Sequence, residues 1–346
     1  MRFLAIDQVR GAAIFAMILA HFGPGLWSRI GLQGAPLDII TLIGRFATPT
    51  FIAIFGMTIA FAYIPKAQAN PWAIQKKLLL RSRTVFFASA LVSTPALINT
   101  LNSHIFWGDS ITLNLILDAY GVLTFYVIAI LFTSMIIPYI ARSPYYFPMA
   151  LGSALIYLGT FLGFDYWGSG HQTGTELLRL YLVSGKYAFL TNYGIVLLIV
   201  SFGVLIRAMM LEGKNVNKIL FLSGFCIILF GLSNGRIVGW RHISDLHSKY
   251  DAPPQVWYIL TIFGVMTIAL FIFNKFKIPF VSFLMEHIGR NPLSIYVAHA
   301  FVLPITAMLR KISPNTPDFL NISLPLLAFF IFTAVILMRS SRNHLV

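Results

Sequence analysis

Stretches of about 20 apolar residues, each long enough to cross a bilayer as a helix, recur along almost the whole chain. We read ten, at roughly 4–22, 37–63, 79–99, 112–140, 146–164, 190–210, 218–233, 256–273, 291–309 and 320–338. In hydrocarbon every backbone amide needs an internal partner, and a helix supplies one within the segment. The expected fold is all-α, a polytopic integral membrane protein of about ten transmembrane helices. The longest loops, 165–189 and 234–255, are too short to build a core of their own. Residues 1–346 are therefore expected to form a single transmembrane domain. Composition agrees: 10% of residues are charged and the mean hydropathy is +0.81, where soluble domains carry about 25% charge.

The net charge of +14 would suggest nucleic acid in a soluble protein. Here the cations sort by side instead. With the N-terminus placed in the cytoplasm, sixteen Lys and Arg fall inside and eight outside, with Arg45 left within the second run. That bias predicts both termini cytoplasmic and no nucleic-acid partner. The basic stretch Lys66 to Arg83 suits contact with anionic membrane lipid. The single cysteine, Cys226, lies inside an apolar run and has no partner for a disulfide or a Cys-based metal site. The first run lacks an A-x-A cleavage site and reads as a permanent span. Glycine- and alanine-rich spans permit close helix packing, and with it a homodimer.

Ionisable groups within spans are costly and usually face a cavity or a partner, so they are the candidates for chemistry. Asp7 and Arg10 are three apart on one helix face at the start of the first run. Two readings stand: a salt bridge that fixes helix depth, or an arginine fork that meets a phosphate or carboxylate arriving from the cytoplasm. His21 follows eleven residues after Arg10, roughly 16 Å along the axis. Beyond it come a glycine-rich loop and Asp38. A carboxylate can orient and charge-stabilise an imidazole so that it serves as general base. Arg45 is seven after Asp38, on nearly the same face, and needs either Asp38 or an anionic substrate group as partner. Lys249 stands in a Lys-Tyr-Asp-Ala-Pro-Pro stretch outside the eighth run, as a solvated charge or a substrate contact.

Gly289-Arg290-Asn291-Pro292 opens the ninth run, and His299 follows eight residues after Asn291. Asn291 then Pro292 also reads as an ordinary helix start. By helix rise alone, His21 and His299 stand roughly 13 Å apart along the membrane normal. The stretch Ile278 to Ile288 suits an inner interfacial helix, and Gly174 to Ser184 an outer one. His242, Asp245 and His247 crowd one loop without a zinc spacing, so no metal is expected. His104, His171, His287 and His344 read as loop, interfacial or tail residues.

These residues carry a resemblance. Asp7-Gln8-Val9-Arg10-Gly11 followed by Met17-Ile18-Leu19-Ala20-His21 resembles the opening signature of transmembrane acyltransferases. Asp38 to Gly56 resembles the second-span signature of the branch related to heparan-α-glucosaminide N-acetyltransferase. Ser248 to Leu260 is similar to that branch's K-Y-P-P-S segment, with two residues inserted before the prolines. Ile288 to His299 matches its G-R-x-P-L-x-x-Y-x-x-H signature, and Lys186 to Ile206 matches more loosely.

The resemblance implies an acyl-CoA, usually acetyl-CoA, bound from the cytoplasmic side. Its acyl group passes to a hydroxyl or amine of an acceptor, commonly a saccharide, on the far side. On that reading His21, Asp38 and Arg45 are catalytic, as base, orienting carboxylate and oxyanion donor. Arg10, Asn291 and His299 hold the acyl-CoA, and Asp7 and Lys249 contact substrate. The expected location is a bacterial inner membrane. The rival is a carrier or exporter of an amphiphilic solute, which the lack of a midplane carboxylate disfavours.

Overall fold

The computed structural model describes residues 3–26, 34, 39–40, 43–44, 46–107, 121–165, 179–184, 187–237, 252–312 and 317–342. Every regular element among them is helical. In chain order these are α1 (Leu4–Gly25), α2 (Ala47–Thr58), a π-helical turn (Ile59–Tyr63), α3 (Ile64–Ala69), α4 (Pro71–Trp107), α5 (Val122–Arg142) and α6 (Tyr146–Asp165). A second π-helical turn (Leu180–Ser184) precedes α7 (Phe189–Leu211), α8 (Val216–Ile237) and α9 (Ala252–Lys275). The chain closes with α10 (Pro279–Arg290), α11 (Pro292–Ala300), α12 (Val302–Ile312) and α13 (Asp318–Arg342).

Seven stretches among the described residues are long and apolar enough to span a membrane. They match the first, second, fourth, sixth, seventh, ninth and tenth predicted runs. The fifth and eighth runs form shorter apolar helices, Tyr146–Leu162 and Phe263–Lys275. The third lies within the continuous helix α4. The protein is thus an all-helical integral membrane protein. The ninth run is not one straight helix. It breaks at Phe301, whose amide turns back to the carbonyls of Ala298 and His299. Pro304 explains the break, because it has no N–H to offer the carbonyl of Ala300 four residues earlier.

The chain divides into two compact units. One comprises residues 1–3 and 52–271, the other residues 4–51 and 272–346. In the first, α6 and α7 meet at glycines. A Cβ on Gly194 would stand 2.8 Å from the carbonyl of Gly152, and one on Gly152 would stand 2.7 Å from that of Gly194. Gly224 and Gly264 join α8 to α9 in the same way. These glycines serve contacts within the chain, where backbones approach too closely for a side chain. Tyr193, fully buried, shares a 2.7 Å hydrogen bond with Thr133 of α5. The hydroxyl of Ser201 donates to the carbonyl of Tyr145 at 2.8 Å.

The second unit is built on α1 and α10. Gly11 lies against the carbonyl of Met285, and Gly289 against the carbonyl of Asp7. Residue numbers rise on one helix as they fall on the other, so the pair is antiparallel and in backbone contact. The stretch expected as a separate interfacial helix is therefore packed along α1. Its Phe280, Val281 and Phe283 stay exposed while His287, Ile288 and Gly289 are buried. Around this pair, Ile14, Phe22, Leu26, Ile288, Ile295, Val302, Ile322 and Phe329 form one apolar core.

A testable consequence concerns the α6–α7 seam. Overpacking a tight contact costs about 1–3 kcal/mol. Gly194→Val should lower the thermal midpoint of the detergent-solubilised protein by several degrees. Ala154→Val, on the exposed side of α6, should leave it unchanged.

Candidate active site

At the start of α1, Asp7 and Arg10 form a 3.0 Å ion pair, with side chains only 12% and 17% exposed. Arg10 also donates to the carbonyl of Gly289 at 3.2 Å. That carbonyl belongs to the last turn of α10, where no amide of the same helix can reach it. A cation there also faces the negative end of the helix dipole. The pair therefore joins α1 to the end of α10, the salt-bridge arrangement of the two readings given above. Across the same last turn of α10, Arg290 pairs with Glu286. Gln8 donates to the carbonyl of Ser282 at 3.5 Å.

Asn291 occupies the junction between α10 and α11, as its sequence context suggested. Its side chain does not cap α11. It turns back instead and donates to the carbonyl of His287 at 3.1 Å. His287, expected as a loop or interfacial residue, is buried in α10, with Nδ1 2.8 Å from the carbonyl of Phe283. Phe283, four residues earlier on the same side of the helix, is exposed, so helical spacing gave no signal of this burial.

The central feature is the meeting of the two histidines. His21 Nδ1 lies 2.8 Å from His299 Nε2. The ring centres are 5.0 Å apart and the planes differ by 20°. That separation is almost the full span two imidazoles joined at 2.8 Å can have. The nitrogens therefore face each other near the ring planes, where N–H and lone pair point. The offset of roughly 13 Å expected from helix rise is thus overturned. Rise measures distance along each helix's own axis, whereas the crossing of two helices is set by packing, here by the glycine contacts of α1 with α10.

His299 is 1% exposed, at the end of α11 just before the break at Phe301. Tyr296, one turn earlier, meets its ring edge-on at 5.1 Å, and Phe22 lies at 6.4 Å. Among the described residues no side chain bonds His299 Nδ1, and the backbone carbonyls of Ile295 and Tyr296, one turn earlier, lie within reach of the ring. His21 is on the exposed side of the pair. An N–H···N bond between neutral rings fixes their tautomers together. If His21 Nδ1 donates, His21 Nε2 carries a lone pair; if His299 Nε2 donates, His21 Nε2 carries the proton. The pair can thus accept a proton at one outer nitrogen and hold one at the other.

Asp38, Arg45 and Lys249 lie outside the described residues. Gly44, the residue before Arg45, packs on Ala20, the residue before His21. Among the described residues no three His, Cys, Asp or Glu side chains gather as a metal site.

The described residues are those of a helical membrane protein in which histidines from two helices of one unit meet. Residues 2–218 match the family model described as heparan-alpha-glucosaminide N-acetyltransferase, catalytic, and the chain belongs to that family. The matched region takes in Asp7, Arg10, His21, Asp38 and Arg45 and ends before Lys249, Asn291 and His299. Comparison with curated proteins gives no match.

Arg10→Gln removes the donor to Gly289 and the ion pair of Arg10 with Asp7. Hydrogen bonds involving a charged group contribute about 1.5–3 kcal/mol. The variant should melt several degrees below the wild type in detergent. Arg10→Lys, which retains the charge but not the fork, should fall between them.

Proposed function

We propose that this protein is a membrane acyltransferase that moves an acyl group, acetyl in the first instance, from cytoplasmic acyl-CoA to a hydroxyl or amine of an extracytoplasmic acceptor of saccharide type. The observation that carries the reading is the direct His21–His299 contact in a chain of this acetyltransferase family. Acyl transfer needs a group that takes the acceptor's proton as the new bond to the acyl carbon forms and the thioester C–S bond breaks. In this reading His21 Nε2 takes that proton, and His299 holds the His21 ring through Nδ1. The thiolate leaves and is protonated in turn. In this reading the adjacent histidines form one reaction centre.

Asp38 stabilises the charge that the histidine pair gains, and Arg45 donates to the oxyanion of the tetrahedral intermediate. Asn291 and the basic groups around the α10–α11 junction serve the acyl-CoA, Arg10 through whatever donor capacity Asp7 and Gly289 leave it. Asp7 and Lys249 contact substrate. The cell membrane of a bacterium is the proposed location.

The test is acetyl-CoA binding and thioester turnover by the purified protein in detergent. His21→Ala and His299→Ala should each lower turnover by about 10²–10⁴-fold. The double variant should be little worse than either single one, since residues that act as a unit are not additive. Full turnover in folded His21→Ala protein would remove the base assignment. Failure to bind any acyl-CoA would instead point to a carrier, to be tested by uptake into proteoliposomes. Unchanged acyl-CoA affinity in Arg10→Ala would confine Arg10 to its structural pair.

A further inference from the structure

The start of α4 carries a cationic surface that the acyl-transfer reading does not use. Asn70 caps the helix by accepting from the amide of Ala73 at 3.0 Å, and Pro71 takes the first helical position. This fixes the face on which the following residues appear. Trp72, Lys76 and Arg83 share one face by the 3.6-residue period. Lys77 and Arg81 lie roughly 100–180° round the helix from it, at the other edge of the exposed arc. All five are exposed, Trp72 by 72%. The opposite face packs inward through Ile74, Leu78, Ser82 and Val85, and Ser82 donates to the carbonyl of Val127 at 3.1 Å.

No Asp or Glu occurs between residues 39 and 108. Lys66, Lys76, Lys77, Arg81 and Arg83 form no ion pair among the described residues. By contrast, Arg10 and Arg290 each have a carboxylate partner. Exposed Leu79 and Leu80 stand among the cations, and Phe86, Phe87 and Leu91 follow directly. Along one face the helix thus passes from indole to ammonium and guanidinium groups, then to bare hydrocarbon. A phospholipid layer presents the matching order of interface, headgroup phosphate and acyl chain.

We propose that the first turns of α4, Trp72 to Arg83, form a binding surface for anionic phospholipid headgroups. Lys76, Lys77, Arg81 and Arg83 contact the phosphates, Trp72 seats in the interface, and Leu79 and Leu80 lie against the upper acyl chains. A soluble phosphate compound offers the same charge. It does not match cations spread over about two turns and interleaved with exposed leucines, and a lipid surface does. The surface is independent of the histidine pair, so its test can fail without touching the acyl-transfer reading.

The experiment uses the full-length protein in neutral detergent, titrated with phosphatidylglycerol or phosphatidylcholine and read by native mass spectrometry. Wild type should retain phosphatidylglycerol in preference to phosphatidylcholine, and the preference should fall as ionic strength rises. The triple variant Lys76→Gln, Lys77→Gln, Arg83→Gln should bind phosphatidylglycerol on the order of tenfold more weakly or worse. A control losing the same charge elsewhere, Lys218→Gln, Lys277→Gln, Arg339→Gln, should stay within about twofold of wild type. Equal loss in both triples would reduce the effect to net charge and overturn the proposal. So would a wild type with no preference between the lipids, a readout that needs no variant to fold. Displacement of bound phosphatidylglycerol by free coenzyme A would assign the surface to the nucleotide instead.

Discussion

The backbone contact of α1 with α10 is the constraint on which the second unit depends. Gly11 meets the carbonyl of Met285 and Gly289 that of Asp7, so neither position has room for a side chain. Lipid offers no hydrophobic drive for helix association, and close van der Waals contact of small residues takes its place. Arg10 reinforces the contact by holding Asp7 and the final carbonyl of α10 together. With α10 fixed along α1, the turn at Asn291 sends α11 back past α1. His299 then arrives at His21.

The break after His299 gives this arrangement its second property. A helix continuing through Phe301 would need an amide at position 304 for the carbonyl of Ala300. Pro304 removes one donor, and the chain re-forms as α12. Broken spans occur within membranes where protein or a cavity re-satisfies the freed groups, and they mark binding sites in many membrane proteins. Here the break adjoins the buried His299.

The two histidines differ in exposure. His21 is on the accessible side of the pair and His299 on the buried side, enclosed by Tyr296, Phe22 and aliphatic residues of the core. Such a shell limits water and strengthens the N–H···N interaction. The cationic start of α4 follows the opposite rule, with every charge exposed and unpaired among the described residues. Pairing inside and exposure outside follow the cost of a charge in each medium.

The sequence alone determined the class of fold. Apolar runs of membrane-spanning length leave helix as the workable backbone, and the positions of Asp7, Arg10, His21 and His299 within them were legible as candidates. It also determined the family, because the first-span signature lies in contiguous residues. What it did not contain was the distance between His21 and His299, which are separated by 278 positions. Rise per residue ranks atoms along one helix but says nothing of how two helices cross. Only the glycine-to-carbonyl contacts of α1 with α10, and the turn at Asn291 that they fix, decided that the two imidazoles touch. The same packing decided that Arg10 faces Gly289. Close contact between distant segments depends on the shapes of both helix surfaces at once, which a pattern read along one segment does not hold.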